Sequence, residues 1–179
     1  MGTSATDREE DRCVGMVLIG RRLSAEQLAV VRADPTAVDA LLYGDLDDDD
    51  AEMPEPELDL DKSWHGIHYL LTGTAWQIGE GAGAAILGGV EVGQDGGYGG
   101  PRLLDRDAVR TVATALDALD AKVLRVRYDT DAMTAAEIYP DIWTNSTEAL
   151  DYLMSHYTEL RRFYRGAAAE GQAVLLAIT

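Results

Sequence analysis

Leu58-Asp-Leu-Asp-Lys-Ser-Trp-His-Gly-Ile-His-Tyr-Leu-Leu-Thr-Gly73 is the stretch around which the rest of the chain is organised. Its opening is acidic and extended. From Asp61 the pattern turns helical, because Trp64, Ile67, His68 and Leu71 recur at i, i+3, i+4 and i+7 and Gly73 stands where a helix would stop. The spacing predicts a short helix that packs one apolar stripe on a core and carries Trp64, His65 and His68 with it.

Upstream, residues 14–19 form a short β-branched run bounded by Gly20, which reads as a buried strand. Ser24 and Gln27 make a capping box for a helix containing Leu28 and Val31, broken at Asp34-Pro35. Pro35 suits the first turn of a second helix, with Val38, Leu41 and Leu42 as its stripe and Gly44 as its stop. Downstream, residues 81–89 read as a short helix running into a strand at residues 90–92. A loop with five glycines around Tyr98 follows at residues 93–102.

Asp105 caps an amphipathic helix through Val109, Val112, Ala113 and Leu116, and shorter helical turns are expected at 121–128 and 133–137. Pro140 and its aromatic flanks indicate an ordered loop over residues 138–143. The longest helix runs from Thr147 to about Ala169 on a stripe of Leu150, Leu153, Met154, Tyr157, Leu160 and Tyr164, and Gly171 separates it from a strand at 173–178. Helices outnumber strands and do not alternate with them as parallel βαβ units would. The expected architecture is α+β, one compact domain with several helices on a small, mostly antiparallel sheet.

The chain has 179 residues, 46% of them hydrophobic, which suits a single domain with a proper core. No apolar run approaches the roughly 20 residues of a membrane helix, and the charged opening has no signal-peptide core. With one cysteine, Cys13, no internal disulfide can form, so a cytoplasmic location is expected. Net charge is -17, and residues 1–61 hold 17 acids against 5 bases. That balance repels phosphate backbones and argues against nucleic acid, while it would speed association with a basic protein.

Ten acids and no base lie in residues 45–61, with Pro54 and Pro56 among them, and residues 45–57 read as a solvated acidic loop inserted in the domain. Asp45, Asp47 and Asp49 imitate the start of a calcium-binding loop, but Asp50 stands where glycine is needed and Pro56 where glutamate is needed. The glycine loop lacks the Lys-Ser or Lys-Thr ending of a phosphate loop. His65, His68 and Asp61 lack helical zinc-site spacing, and no serine sits in a nucleophile elbow. No metal and no cofactor is expected.

The quoted stretch, together with Ala85-Ile-Leu-Gly-Gly89, Tyr98-Gly-Gly-Pro-Arg-Leu-Leu104, Glu137-Ile-Tyr-Pro-Asp-Ile-Trp143 and the closing helix and strand, resembles the YfbM-like family of bacterial domains of unknown function. The resemblance spans about residues 15–179. It implies a compact α+β domain at residues 14–179 and leaves residues 1–13 as a disordered extension. It implies no reaction.

Side chains able to carry chemistry fall in three segments: Trp64, His65 and His68; Tyr98 and Arg102; Tyr139, Asp141 and Trp143. Converging, they would line a pocket with an imidazole, a carboxylate, aromatic walls and a cation. Against this stands the ordinary role of a helical histidine or aromatic residue as hydrogen-bonded core. Two functions follow. One is a protein-binding, inhibitor or immunity-type module that meets a basic partner through Asp47, Asp48, Asp49 and Asp50. The other is a small-molecule-binding protein or hydrolase-like enzyme using the pocket.

Overall fold

The computed structural model describes residues 15–44 and 54–179. The N-terminal extension, Cys13 and the acidic residues Asp47 to Asp50 lie outside the described residues. Among the described residues, strands β1 (Leu18–Leu23), β2 (Leu58–Asp59), β3 (Val90–Glu91), β4 (Arg102–Leu104) and β5 (Ala173–Ile178) form one antiparallel sheet in the order β2-β1-β5-β4-β3. The helices are α1 (Ala25–Ala33), α2 (Ala37–Tyr43), α3 (Trp64–Thr72), α4 (Arg106–Ala118), α5 (Ala121–Arg127), α6 (Thr130–Ala135) and α7 (Thr147–Ala169). Short 3-10 turns occupy Asp61–Ser63 and Gly81–Ala84. The domain is therefore α+β.

β5 explains the layering. Its run Ala-Val-Leu-Leu-Ala-Ile is apolar at every position because it is the middle strand and both faces are covered. Val174 and Leu176 face the larger core with Leu18, Leu58 and Leu104, under α3, α4 and α7. Ala173, Leu175 and Ala177 face the smaller core with Leu23 and Leu103, covered by Leu28 and Val31 of α1 and Val38 and Leu42 of α2. The period-2 alternation along each strand thus divides residues between two helical layers.

Caps hold the helices where the sequence placed them. Ser24 and Gln27 complete the capping box of α1, and Asp105, Asp120, Asp129 and Ser146 accept main-chain N–H groups at the starts of α4, α5, α6 and α7. Several local details differ from expectation, among them the strand β4, whose first residue falls in the expected loop. β1 runs through Gly20 instead of stopping there, because Gly20 lies against Leu58 and Leu176, and a Cβ would come within 2.9 Å of Leu176. The region before β3 is a 3-10 turn, not a regular helix. α6 starts earlier, at the Asp129 cap, and the two-residue strand β2 carried no periodicity signal.

α3 buries Trp64, His65, Gly66, Ile67, His68 and Leu70. It approaches its neighbours closely at Gly66, where a Cβ would lie 2.7 Å from Leu153 and 2.9 Å from the Trp143 ring. In a free helix Gly→Ala gains about 1 kcal/mol, whereas overpacking against a buried ring costs about 1–3 kcal/mol. Gly66→Ala is expected to destabilise the domain by about 1–2 kcal/mol in urea unfolding; equal or greater stability would show that α3 does not seat against Trp143 as described.

Candidate functional site

His65 is fully buried and both of its ring nitrogens are engaged. Nδ1 accepts the main-chain N–H of Tyr139 at 2.9 Å, and Nε2 lies 2.9 Å from the Ala75 carbonyl. An accepting Nδ1 leaves Nε2 as the protonated atom, so the ring is neutral and its tautomer is set. Burial lowers its pKa, and the Ala75 carbonyl opposes that shift. The ring also stacks on Trp64 at 4.8 Å and meets Trp76 at 4.4 Å.

His68, one turn further, is equally buried, and among the described residues neither ring nitrogen has a hydrogen-bond partner. Burial is the main cause that lowers its pKa, to about 4, and the neighbouring His65 adds to the shift. A neutral imidazole with no partner is an uncommon expense for a core. Asp61, with φ at 45°, turns away from both histidines: its carboxylate accepts the Tyr152 hydroxyl at 2.7 Å and ties the start of α3 to α7.

Beyond α3 the chain folds back over these histidines. Gly73 takes the left-handed conformation at φ 74° and closes the helix. Thr72 Oγ1 then accepts the N–H of Thr74, and Thr74 Oγ1 accepts the N–H of Gln77. These bonds, with His65 on Ala75, fasten residues 74–78 as a canopy and leave Trp76 61% and Ile78 52% exposed.

The outer side of that canopy is one wall of a cavity of about 210 Å³. Leu18, Ile86, Leu87, Leu176 and Ile178 make its apolar surface, and Trp76, Tyr98, Gly100 and Arg102 also line it. Tyr98 is held out by its loop: Asp95 Oδ1 accepts the N–H groups of Gly97 at 2.7 Å and Gly99 at 2.9 Å, and both glycines have positive φ. A side chain at either position would strain that turn. Arg102 stands on β4 and donates from Nη2 to Glu91 Oε1 on β3 at 2.9 Å.

The candidate residues thus separate into two groups. Tyr98 and Arg102 come together at the cavity. Trp64, His65, His68 and Trp143 are buried in the core, where Trp64 donates to the Met16 carbonyl and Trp143 to the Ile138 carbonyl. Tyr139 is half-buried beside Trp64, and its peptide bond to Pro140 is cis. Asp141 is exposed, and neither histidine lines the cavity. Trp76 links the groups, touching His65 on one side and the cavity on the other. Sequence reasoning passed over Trp76 and Ile78; the available signal was two bulky apolar residues at i, i+2 in the short connection between Gly73 and Gly79.

Among the described residues, no cluster of three or more His, Cys, Asp or Glu side chains is arranged to hold a metal ion. None of their helices is long and apolar enough to cross a membrane.

The sequence profile of a family described as Domain of unknown function (DUF1877) matches residues 14–177. A solved structure of YfbM, a protein of unknown function from Escherichia coli, superposes with a TM-score of 0.70 over 92% of this chain and 99% of that chain. The two share 20% identity, so the likeness is one of fold alone. No curated protein matches the sequence.

The histidines predict an acid dependence of stability. Both have folded pKa values below the ordinary value near 6.5, so the unfolded chain binds more protons on acidification. Their contribution is complete above about pH 6.5 and is lost as pH falls, for His68 down to about 4. Between pH 7 and pH 5, His68 alone accounts for about 2 kcal/mol of lost stability. His68→Leu is expected to be nearly neutral at pH 7 and to remove that slope in urea unfolding. His65→Leu strands the Tyr139 N–H and the Ala75 carbonyl, and is expected to cost about 2–4 kcal/mol at pH 7.

Proposed function

Since this chain belongs to the DUF1877 family of domains of unknown function, we propose a role from its own geometry: a binding module whose recognition site is the cavity between Trp76 and Tyr98. The observation that carries this reading is the exposure of Trp76, Ile78 and Tyr98 around one concave apolar surface. Large apolar side chains left in water around a concavity are a recognised mark of a ligand site. The size selects the ligand class. Sites for drug-sized ligands run from about 300 Å³ upward, so a volume of about 210 Å³ suits a fragment-sized molecule and is too small for a nucleotide.

The lining favours binding over chemistry. It offers a guanidinium, a phenol and an indole, and among the described residues no imidazole, carboxylate, thiol or aliphatic hydroxyl lines the cavity. A hydrolase-like role would need a base there, and the two histidines of α3 are buried on the far side of the canopy.

A second reading, a module for a basic protein partner, is favoured by the net charge of -17 and its concentration before residue 61. Asp47, Asp48, Asp49 and Asp50 are its proposed contacts. It predicts a complex isolated from host lysate that dissociates as salt rises toward about 0.3 M and that is lost when those four residues are changed to asparagine; a complex indifferent to the four changes would sink it.

For the cavity, a panel of small aromatic compounds titrated into isotope-labelled protein is expected to shift the resonances of Leu18, Ile86, Leu87 and Leu176 together. In Trp76→Ala, which removes one wall, affinity is expected to fall about tenfold or more. Shifts scattered over the surface, or unchanged affinity in Trp76→Ala, would refute the cavity as the site.

A further inference from the structure

Resting on the cavity as the binding site, we infer that its ligand is a small aromatic carboxylate, held with its ring between Trp76 and Tyr98 and its carboxylate on Arg102. Three observations converge on that class. The first is charge. Among the described residues Arg102 is the one permanently charged residue in the lining, so an ionised group entering the apolar hollow meets a cation. The domain as a whole is strongly acidic, which disfavours anions at long range. At about 0.15 M ionic strength, however, charges beyond roughly 8 Å are largely screened, and the contact charge decides.

The second observation is hydrogen-bonding capacity. A guanidinium has five N–H donors in a fixed fork suited to a carboxylate. Among the described residues Arg102 makes one hydrogen bond, from Nη2 to Glu91 Oε1. Its side chain is 24% exposed, while that of Glu91 is 59% exposed. Arg102 is therefore partly withdrawn from water with most of its donors unassigned, and Glu91 fixes it from one side. An incoming carboxylate completes what Glu91 begins.

The third observation is shape. An apolar cavity of about 150 Å³ holds benzene. A volume of about 210 Å³ leaves room beyond one ring for a short carboxylate-bearing chain. The indole of Trp76 and the phenol of Tyr98 supply the flat walls that a ring prefers.

The test uses the full chain and three matched probes: 3-phenylpropionate, its uncharged amide 3-phenylpropanamide, and 3-phenylpropylammonium. Each is titrated by two-dimensional NMR and by tryptophan fluorescence. A ligand of about eleven non-hydrogen atoms is expected to bind with a dissociation constant on the order of 0.1–1 mM. The carboxylate is expected to bind about tenfold tighter than the amide. Arg102→Met, which keeps an apolar stem, should abolish that preference while the amide still binds. Glu91→Gln keeps a side-chain oxygen that can hold Arg102 but removes the negative charge that repels an incoming carboxylate, so it should tighten the carboxylate a few-fold and leave the amide unchanged, a readout independent of whether Arg102→Met folds.

Equal binding of carboxylate and amide, or tightest binding of the ammonium, would overturn carboxylate recognition and leave the cavity standing as a site. No perturbation of the cavity residues by any probe up to 10-fold above the expected range would overturn both readings.

Discussion

Everything around the site depends on one imidazole. His65 receives an N–H from residue 139 and donates to the carbonyl of residue 75, so a single side chain on α3 fixes the approach to Pro140 and the canopy after Gly73. Neither segment has regular secondary structure to satisfy its own main chain, and buried main-chain groups must be paired. The neutral ring suits this task because it is donor and acceptor at once. A leucine could fill the volume but would satisfy neither segment, and a protonated ring could not accept from Tyr139. The protonation state of His65 is thus a structural requirement before it is anything else.

His68 shows the same helix at its other extreme. Set one turn away, it has the burial of His65 without, among the described residues, its partners. The two residues illustrate how little a helical pattern says about a histidine's role: both lie in an apolar stretch, and only the chain arriving from elsewhere distinguishes a satisfied bridge from an unpaired ring. The canopy that covers both also presents Trp76 outward. The inner, polar demand of the histidines and the outer, apolar wall of the cavity therefore meet in residues 74–78.

Much of the fold was legible because its signals are local. The α7 stripe, the Ser24 capping box, Asp105 before α4 and the wholly apolar β5 each declare an element within a few residues. β2 and β4 were not legible, since two or three residues carry no periodicity and pairing is decided by distant strands. For the site, the pairing of Tyr98 with Arg102 was visible in one glycine-rich segment, and the β3–β4 ladder sets their separation. The separation of His65 and His68 from that pair was not visible. It follows from the main-chain bonds of His65 and from the canopy over it, which are properties of a turn with no regular pattern. Trp76 escaped notice for the same reason: a loop residue earns its meaning from what it lies between.

The middle of the sheet is built from the most distant parts of the described chain, since residues 18–23 pair with residues 178–173. This pairing bears on the order of assembly. Helices and the β3–β4 ladder need only neighbours, but the β1–β5 ladder requires nearly the whole intervening chain to be closed as a loop, an entropic cost met before any of its hydrogen bonds form. Folding is therefore expected to be slow for a domain so rich in helix, with α4 and α7 associating first and β1 docking late onto β5. Until it docks, β5 exposes one unpaired edge of the most apolar of the described strands. The short outer strands protect the finished sheet; the unfinished one is guarded only by how quickly β1 arrives.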